Sequence, residues 1–153
     1  MTLYLLRHGK ADWPGWDKPD DERPLTKGGI REMRRIAQFL AELNVTPSVI
    51  LSSPLPRAWQ TAEIAAEALG LEVREQATLR PGFSLAKFRA LMKHAKGADL
   101  MLVGHEPDFS GLIRALTGGI VKLGKGGIAR VDLDEAGEGG RLIWLIPPKV
   151  ARK

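Results

Sequence analysis

The sequence predicts an α/β fold, a three-layer α/β/α sandwich with a mostly parallel central sheet, and three observations point to it. Short apolar runs alternate with segments of helical periodicity, the pattern of strands joined by helical crossovers. The 153 residues fit one domain, 1–153, large enough to bury a core without covalent staples, and the chain has no cysteine to form one. Near the end of the chain, a Gly-rich turn at 134–140 separates two apolar segments and adds an antiparallel hairpin.

Residues 2–6 form a short apolar run that reads as the first strand. Thr26 caps a helix in which Ile30, Met33, Ile36, Ala37, Leu40 and Leu43 recur at helical spacing, with Pro47 barring its continuation. A second strand at 48–52 leads into a helix at 54–69 closed by Gly70, and 71–73 reads as an edge strand. Residues 84–95 form a helix that carries Leu85, Phe88, Leu91 and Met92 inward, followed by a third strand at 99–103 and a helix at 107–116. The hairpin strands are 127–133 and 141–146, and 147–153 reads as a frayed tail.

Composition excludes several classes. Hydrophobic residues at 44% and charged residues at 27% fit a soluble globular protein, and no apolar run approaches the roughly 20 residues that span a bilayer. The first nine residues turn charged after four apolar ones and lack the parts of a signal peptide, so a cytoplasmic protein without membrane partners is expected. The formal net charge of +5 would suit nucleic acid, but the cations are scattered among acids and only 6% of residues are aromatic. No nucleic-acid partner is expected; an anionic, phosphorylated substrate accounts for the basic balance equally well.

Ligands of such sheets bind beyond the carboxyl ends of the strands. The first strand runs into Arg7 and His8, the second into Ser52 and Ser53 ahead of Arg57, and the third into Gly104 and His105. A neutral imidazole is a competent nucleophile near neutral pH, and guanidinium forks bind phosphate oxygens bidentately, so this set suits phosphoryl transfer without a metal or cofactor. Taken alone, His8 would read as a structural strand-end histidine and Arg57 as a solvated residue of a first helical turn; the combination gives them a role. His94, between Lys93 and Lys96 on a basic helix face, reads as surface, and the four tryptophans as packing or loop anchors, with Trp13 and Trp16 placed to border the pocket.

The run Leu5-Leu6-Arg7-His8-Gly9 resembles the Arg-His-Gly signature of the histidine phosphatase superfamily, whose fold is phosphoglycerate mutase-like. Three further segments match in order: Arg23 to Gly29 with its Pro-Leu-Thr, Ser52 to Thr61 around Arg57, and Val103-Gly104-His105-Glu106-Pro107. Within the superfamily, the short length and the Gly-His-Glu-Pro-Asp run are most similar to the SixA-type phosphohistidine phosphatases. The resemblance implies that His8 is the nucleophile, that Arg7, Arg57 and His105 complete the catalytic phosphate pocket, and that Arg23 is a further substrate-binding residue. In this sequence Arg23 can equally pair with Asp20, Asp21 or Glu22.

Two other patterns are set aside. Residues 119–125 fit half of a P-loop, but Gly126 stands where Ser or Thr must hold magnesium, and the segment follows a helix instead of a strand. Asp17, Asp20, Asp21 and Glu22 lack the spacing of a calcium loop and read as a solvated loop. A departure from the wider family concerns the general acid: where many members have a glutamate, this chain reads Leu79-Arg80-Pro81-Gly82, leaving Glu106 and Asp12 as candidates. There is also no room for a large capping insertion. The expected activity is a metal-independent phosphatase working through a phosphohistidine intermediate, with a phosphohistidine-bearing protein as the favoured partner. A small phosphorylated molecule as substrate and a non-catalytic phosphate-binding module are the alternatives.

Overall fold

The computed structural model describes residues 1–95 and 97–151. Six strands, β1 (Thr2–Arg7), β2 (Val49–Ser52), β3 (Val73–Glu75), β4 (Leu100–Gly104), β5 (Ile128–Leu133) and β6 (Gly140–Ile146), form one sheet in the order β3-β2-β4-β1-β5-β6. The first four in that order are parallel, and β5 and β6 continue the sheet antiparallel beyond β1.

Two helices cover each face. Because side chains alternate across a strand, Leu3 and Leu5 of β1 and Leu100 and Leu102 of β4 face one layer, whereas Tyr4, Leu6, Met101 and Val103 face the other. The first face is covered by α3 (Leu85–Ala95), through Phe88, and α4 (Asp108–Thr117), through Phe109, Leu112, Ile113 and Leu116. The second is covered by α1 (Lys27–Glu42), through Met33, Ile36 and Leu40, and by α2 (Pro56–Leu69), through a run of alanines that brings the helix close to the sheet. Burial on both faces explains why β4 is a continuous apolar run. The family-like three-layer arrangement expected from the sequence is the one observed. Among the described residues, no helix is long and apolar enough to cross a membrane.

Thr26 caps α1 as expected, its hydroxyl accepting from Gly29 N–H at 3.0 Å. The helix ends at Glu42, well before Pro47: Asn44 takes a left-handed φ of 59° and Val45 N–H closes on Leu40 O, leaving Leu43 exposed and not on the apolar face. The edge strand is also displaced from 71–73. Leu71 N–H is consumed in closing α2 on Ala66 O after the left-handed Gly70, so pairing with β2 begins at Val73 opposite Ile50. The tail expected to fray instead forms a 3-10 turn at Pro148–Ala151, with Ala151 packed on the core beneath α1; 152–153 lie outside the described residues.

One close approach fixes the loop that follows β1. Lys10 O accepts from Thr26 N–H at 2.9 Å and lies where a Cβ on Gly29 would fall, 2.3 Å away. Gly29→Ala therefore has to push backbone apart, and a loss of about 1–3 kcal/mol is expected, read as a lower denaturant midpoint with an unchanged slope. Gly28→Ala, with no neighbour closer than 3.8 Å, serves as the control that should leave the midpoint near its wild-type value.

Candidate active site

Parallel pairing brings the carboxyl ends of β1, β2 and β4 to one edge. Arg7 lies opposite Gly104 and Ser52 opposite Val103, and the ladder runs on past the strands, with His8 N–H donating to Gly104 O at 3.1 Å and Ser53 N–H to Val103 O at 3.0 Å. The His8 and His105 rings consequently face each other with centroids 5.3 Å apart.

Each imidazole is oriented by one hydrogen bond. His8 Nδ1 lies 2.8 Å from Gly9 O, and a carbonyl can only accept, so Nδ1 carries the proton and Nε2 keeps its lone pair. His105 Nε2 lies 2.9 Å from Ser53 Oγ, which already accepts from Leu55 N–H. In the tautomer where the serine hydroxyl donates to Nε2, the ring proton of His105 sits on Nδ1, which has no partner among the described residues. Burial, reinforced by Arg57 and Arg7, holds His8 at a pKa of about 4 and His105 at about 3, so both are neutral at physiological pH.

The arginines come from three separate segments. Arg7, at the end of β1, donates to Leu123 O at 3.0 Å; Arg57, in the first turn of α2, is buried and donates to Asp20 O at 3.1 Å. Burial lowers the pKa of both guanidiniums, which still remain charged. Arg23 donates to Ala11 O and pairs with Asp20, both at 2.8 Å, so it both lines the pocket and makes one of the ion pairs open to it in the sequence. The buried Nε–H groups of Arg7 and Arg23 have no partner among the described residues. Together with His105 Nδ1 these are buried nitrogens without a partner among the described residues, on side chains that line one cavity.

All five expected residues, Arg7, His8, Arg23, Arg57 and His105, line one cavity of about 400 Å³. His94 is exposed on α3 and remote from it, as read from the sequence. Both candidate acids line the cavity too. Asp12 is paired with Lys125 at 2.7 and 2.8 Å, which holds its carboxyl below the usual range and leaves it without a proton to give. Glu106 accepts from Ser110 N–H at 2.7 Å and bonds the Ser110 hydroxyl. From the 79–82 stretch only Pro81 reaches the cavity.

Sequence reasoning missed several participants. Lys125 lies in the segment set aside as a false P-loop, and Gly126 beside it donates its N–H to the carbonyls of Arg7 and His8, clasping the end of β1. Asp20 is not part of a merely solvated loop: it lies in a 3-10 turn at Asp20–Glu22 and spans Arg23 and Arg57. Thr61 Oγ1 accepts from Gly9 N–H at 3.1 Å and donates to Arg57 O at 2.7 Å, tying the second arginine segment to the loop of His8. Its place at the end of the Ser52 to Thr61 motif was the available signal; for Asp20 the sequence offered only the pairing with Arg23 three residues on, and for Lys125 nothing, because Arg57 and Asp12 are brought near them by the fold.

The fold and this arrangement of two histidines among arginines define a histidine phosphatase. The chain belongs to the histidine phosphatase superfamily (branch 1), whose model matches residues 3–81. It is 31% identical to the phosphohistidine phosphatase SixA of Escherichia coli over 97% of this chain and 94% of that one. An uncharacterized protein of Picosynechococcus sp. is 40% identical over 84% of this chain and 82% of its own length. A structure of SixA complexed with tungstate superposes with a TM-score of 0.89 at 28% identity, covering 99% of this chain and all of that one. By contrast, the match to a probable phosphoglycerate mutase GpmB of Serratia proteamaculans, 34% identical, takes in only 52% of this chain and 37% of that protein.

The pKa values make a direct expectation. Imidazole NMR signals of His8 and His105 should stay at their neutral positions from pH 8 to about 5 and move only on approaching about 4 and about 3. Unfolding returns both groups to the ordinary value of 6.5, so the native state binds fewer protons between 6.5 and about 4, and stability falls as pH drops through that window. His105→Asn should flatten part of that fall in urea melts at pH 7, 6 and 5.

Proposed function

We propose that this protein is a phosphohydrolase that passes a phosphoryl group through His8, and that its substrate is phosphohistidine on another protein. The observation that carries the reading is the orientation of His8: its Nδ1–H is fixed on Gly9 O, so Nε2 keeps a lone pair in a cavity that Arg7, Arg57 and His105 also line. Tungstate, the ligand in the similar SixA structure, is a tetrahedral oxyanion like phosphate.

In this mechanism Arg7, Arg57 and His105 Nδ1–H hold the phosphoryl oxygens, with Arg23 at the rim. His8 Nε2 attacks phosphorus in line, the P–N bond to Nε2 forms, and the bond to the leaving group breaks. Water then attacks phosphorus, the P–Nε2 bond breaks, and inorganic phosphate leaves with His8 restored to its neutral form. The guanidiniums balance the oxygen charge, which supports a metal-independent reaction.

The choice of substrate follows from the leaving group. An alkoxide needs a proton during bond cleavage, and Asp12 is held ionised by Lys125. Phosphohistidine whose distal ring nitrogen is protonated departs as neutral imidazole, a weak base with a conjugate-acid pKa near 6.5. The similarity to SixA along nearly the whole chain supports the same choice. So does the position of α3, which packs on the sheet face and contributes nothing to the rim, leaving the cavity open to a protein surface. A phosphatase of small phosphomonoesters is the second reading, favoured by Glu106, whose carboxylate does line the cavity.

His8→Ala should abolish phosphate release while the circular dichroism spectrum is retained, and labelled phosphate trapped on the wild type should be acid-labile, base-stable and located on His8. An adduct on a serine or a carboxylate would refute the mechanism. Arg57→Lys keeps charge but loses the planar fork, and a fall in kcat of about 100-fold or more is expected; activity should persist in EDTA. Across substrates, kcat/KM should be high for phosphohistidine, fall steeply with leaving-group basicity among esters, and be lowest for alkyl phosphates. Equal rates for alkyl and aryl esters would favour the second reading and point to Glu106, testable with Glu106→Gln.

A further inference from the structure

We propose that a groove beside the phosphate pocket, walled by Trp13 and Trp16, is a subsite for a planar aromatic group attached to the phosphoryl group, the imidazole of phosphohistidine being the natural occupant. The inference rests on the assignment of the pocket to a phosphoryl group and adds the part of the substrate that the arginines do not touch.

The groove is lined by Trp13, Gly15, Trp16, Lys18, Asp20 and Arg23. Asp20 and Arg23 also line the phosphate pocket, so the two concavities adjoin and share a wall. Tryptophan is highly buried on average, because its large apolar surface is costly to expose. Trp13 is nevertheless 38% exposed, and Trp16 only half-buried. Neither ring swings free. Trp13 Nε1–H donates to Pro24 O at 2.8 Å and Trp16 Nε1–H to Pro19 O at 3.0 Å, so the polar edge of each indole is satisfied by backbone.

The rings stand 6.3 Å apart at 39°, and Lys18 Nζ lies 5.9 Å from the Trp16 ring centre. A loop anchor needs only the indole-to-carbonyl bonds and would gain by burying its rings. A held, exposed Trp13 ring beside a Trp16 ring carrying a cation over it instead suits a flat ring linked to an anion, since aromatic pairs of tilted or offset geometry attract beyond their buried area. A phosphoryl group seated on Arg7, Arg57 and Arg23 would place its ring substituent toward this shared wall. A compact aliphatic leaving group would gain little there.

The test is binding, independent of turnover. Phenylphosphonate and methylphosphonate carry the same anion on a hydrolysis-resistant P–C bond, with and without a ring. Their dissociation constants are measured by calorimetry for the wild type and for Trp13→Ala, Trp16→Ala and Trp13→Phe. The wild type should prefer phenylphosphonate by about 3- to 10-fold. Each alanine variant should lower that preference with methylphosphonate affinity kept within about twofold, while Trp13→Phe, which keeps a ring, should retain most of it. In turnover, Trp13→Ala should lower kcat/KM for phosphohistidine and spare phosphoramidate, which has the P–N bond but no ring. Equal wild-type affinity for the two phosphonates, or a preference that survives both alanine substitutions, would overturn the groove and leave the phosphate pocket standing. Failure of both phosphonates to bind the wild type would overturn the pocket and the groove together.

Discussion

The parallel alignment of β1 and β2 on either side of β4 is the constraint on which the rest depends. Arg7 opposite Gly104 and Ser52 opposite Val103 leave His8, Ser53 and His105 as the next residues out of three adjacent strands. A one-residue slip of β1 would exchange Leu3 and Leu5 with Tyr4 and Leu6 between the two layers. The register that places the imidazoles is therefore fixed by the two buried faces. The antiparallel β5 seals the other side of β1, so the strand bearing His8 is interior to the sheet and has no free edge.

Much of this was legible in the sequence because it is local. Alternating apolar runs gave strands and layers, Thr26 and Gly70 marked a helix start and a helix end, and the residues following three strand ends gave Arg7, His8, Ser53 and His105. What escaped was decided by closures that compete for the same groups. Leu71 reads as a β-residue, yet its N–H is used by the end of α2, and the edge strand starts two residues later. Leu43 fits the helical period but is the C-cap residue, left exposed by the left-handed Asn44 closure that follows it and that no proline was needed to impose.

The remaining omissions are pairings between distant segments. Lys125 and Asp12 are separated by 113 residues and Thr61 and Gly9 by 52, distances over which periodicity carries no information. The segment before β5 illustrates the point. Its glycines suggested phosphate binding by backbone, and that reading failed on a missing hydroxyl; in the fold Gly126, the residue standing in the hydroxyl's place, bonds the carbonyls of Arg7 and His8, and Lys125 reaches the cavity from there. A motif rejected for the right reason thus still marks a location that matters.

Asp20 spans Arg23 and Arg57 from a solvent-facing turn, and this gives the cavity an internal competitor. With no anion bound, two of its cations already have a counter-charge, which lessens their mutual repulsion and moderates the field that an arriving anion meets. An entering phosphoryl group then gains only the surplus of its own contacts over those of a carboxylate tethered nearby at high local concentration. Under the proposed reaction the same carboxylate would also compete with departing inorganic phosphate for the two guanidiniums. A site strong enough to orient a dianion can in this way still let go of its product.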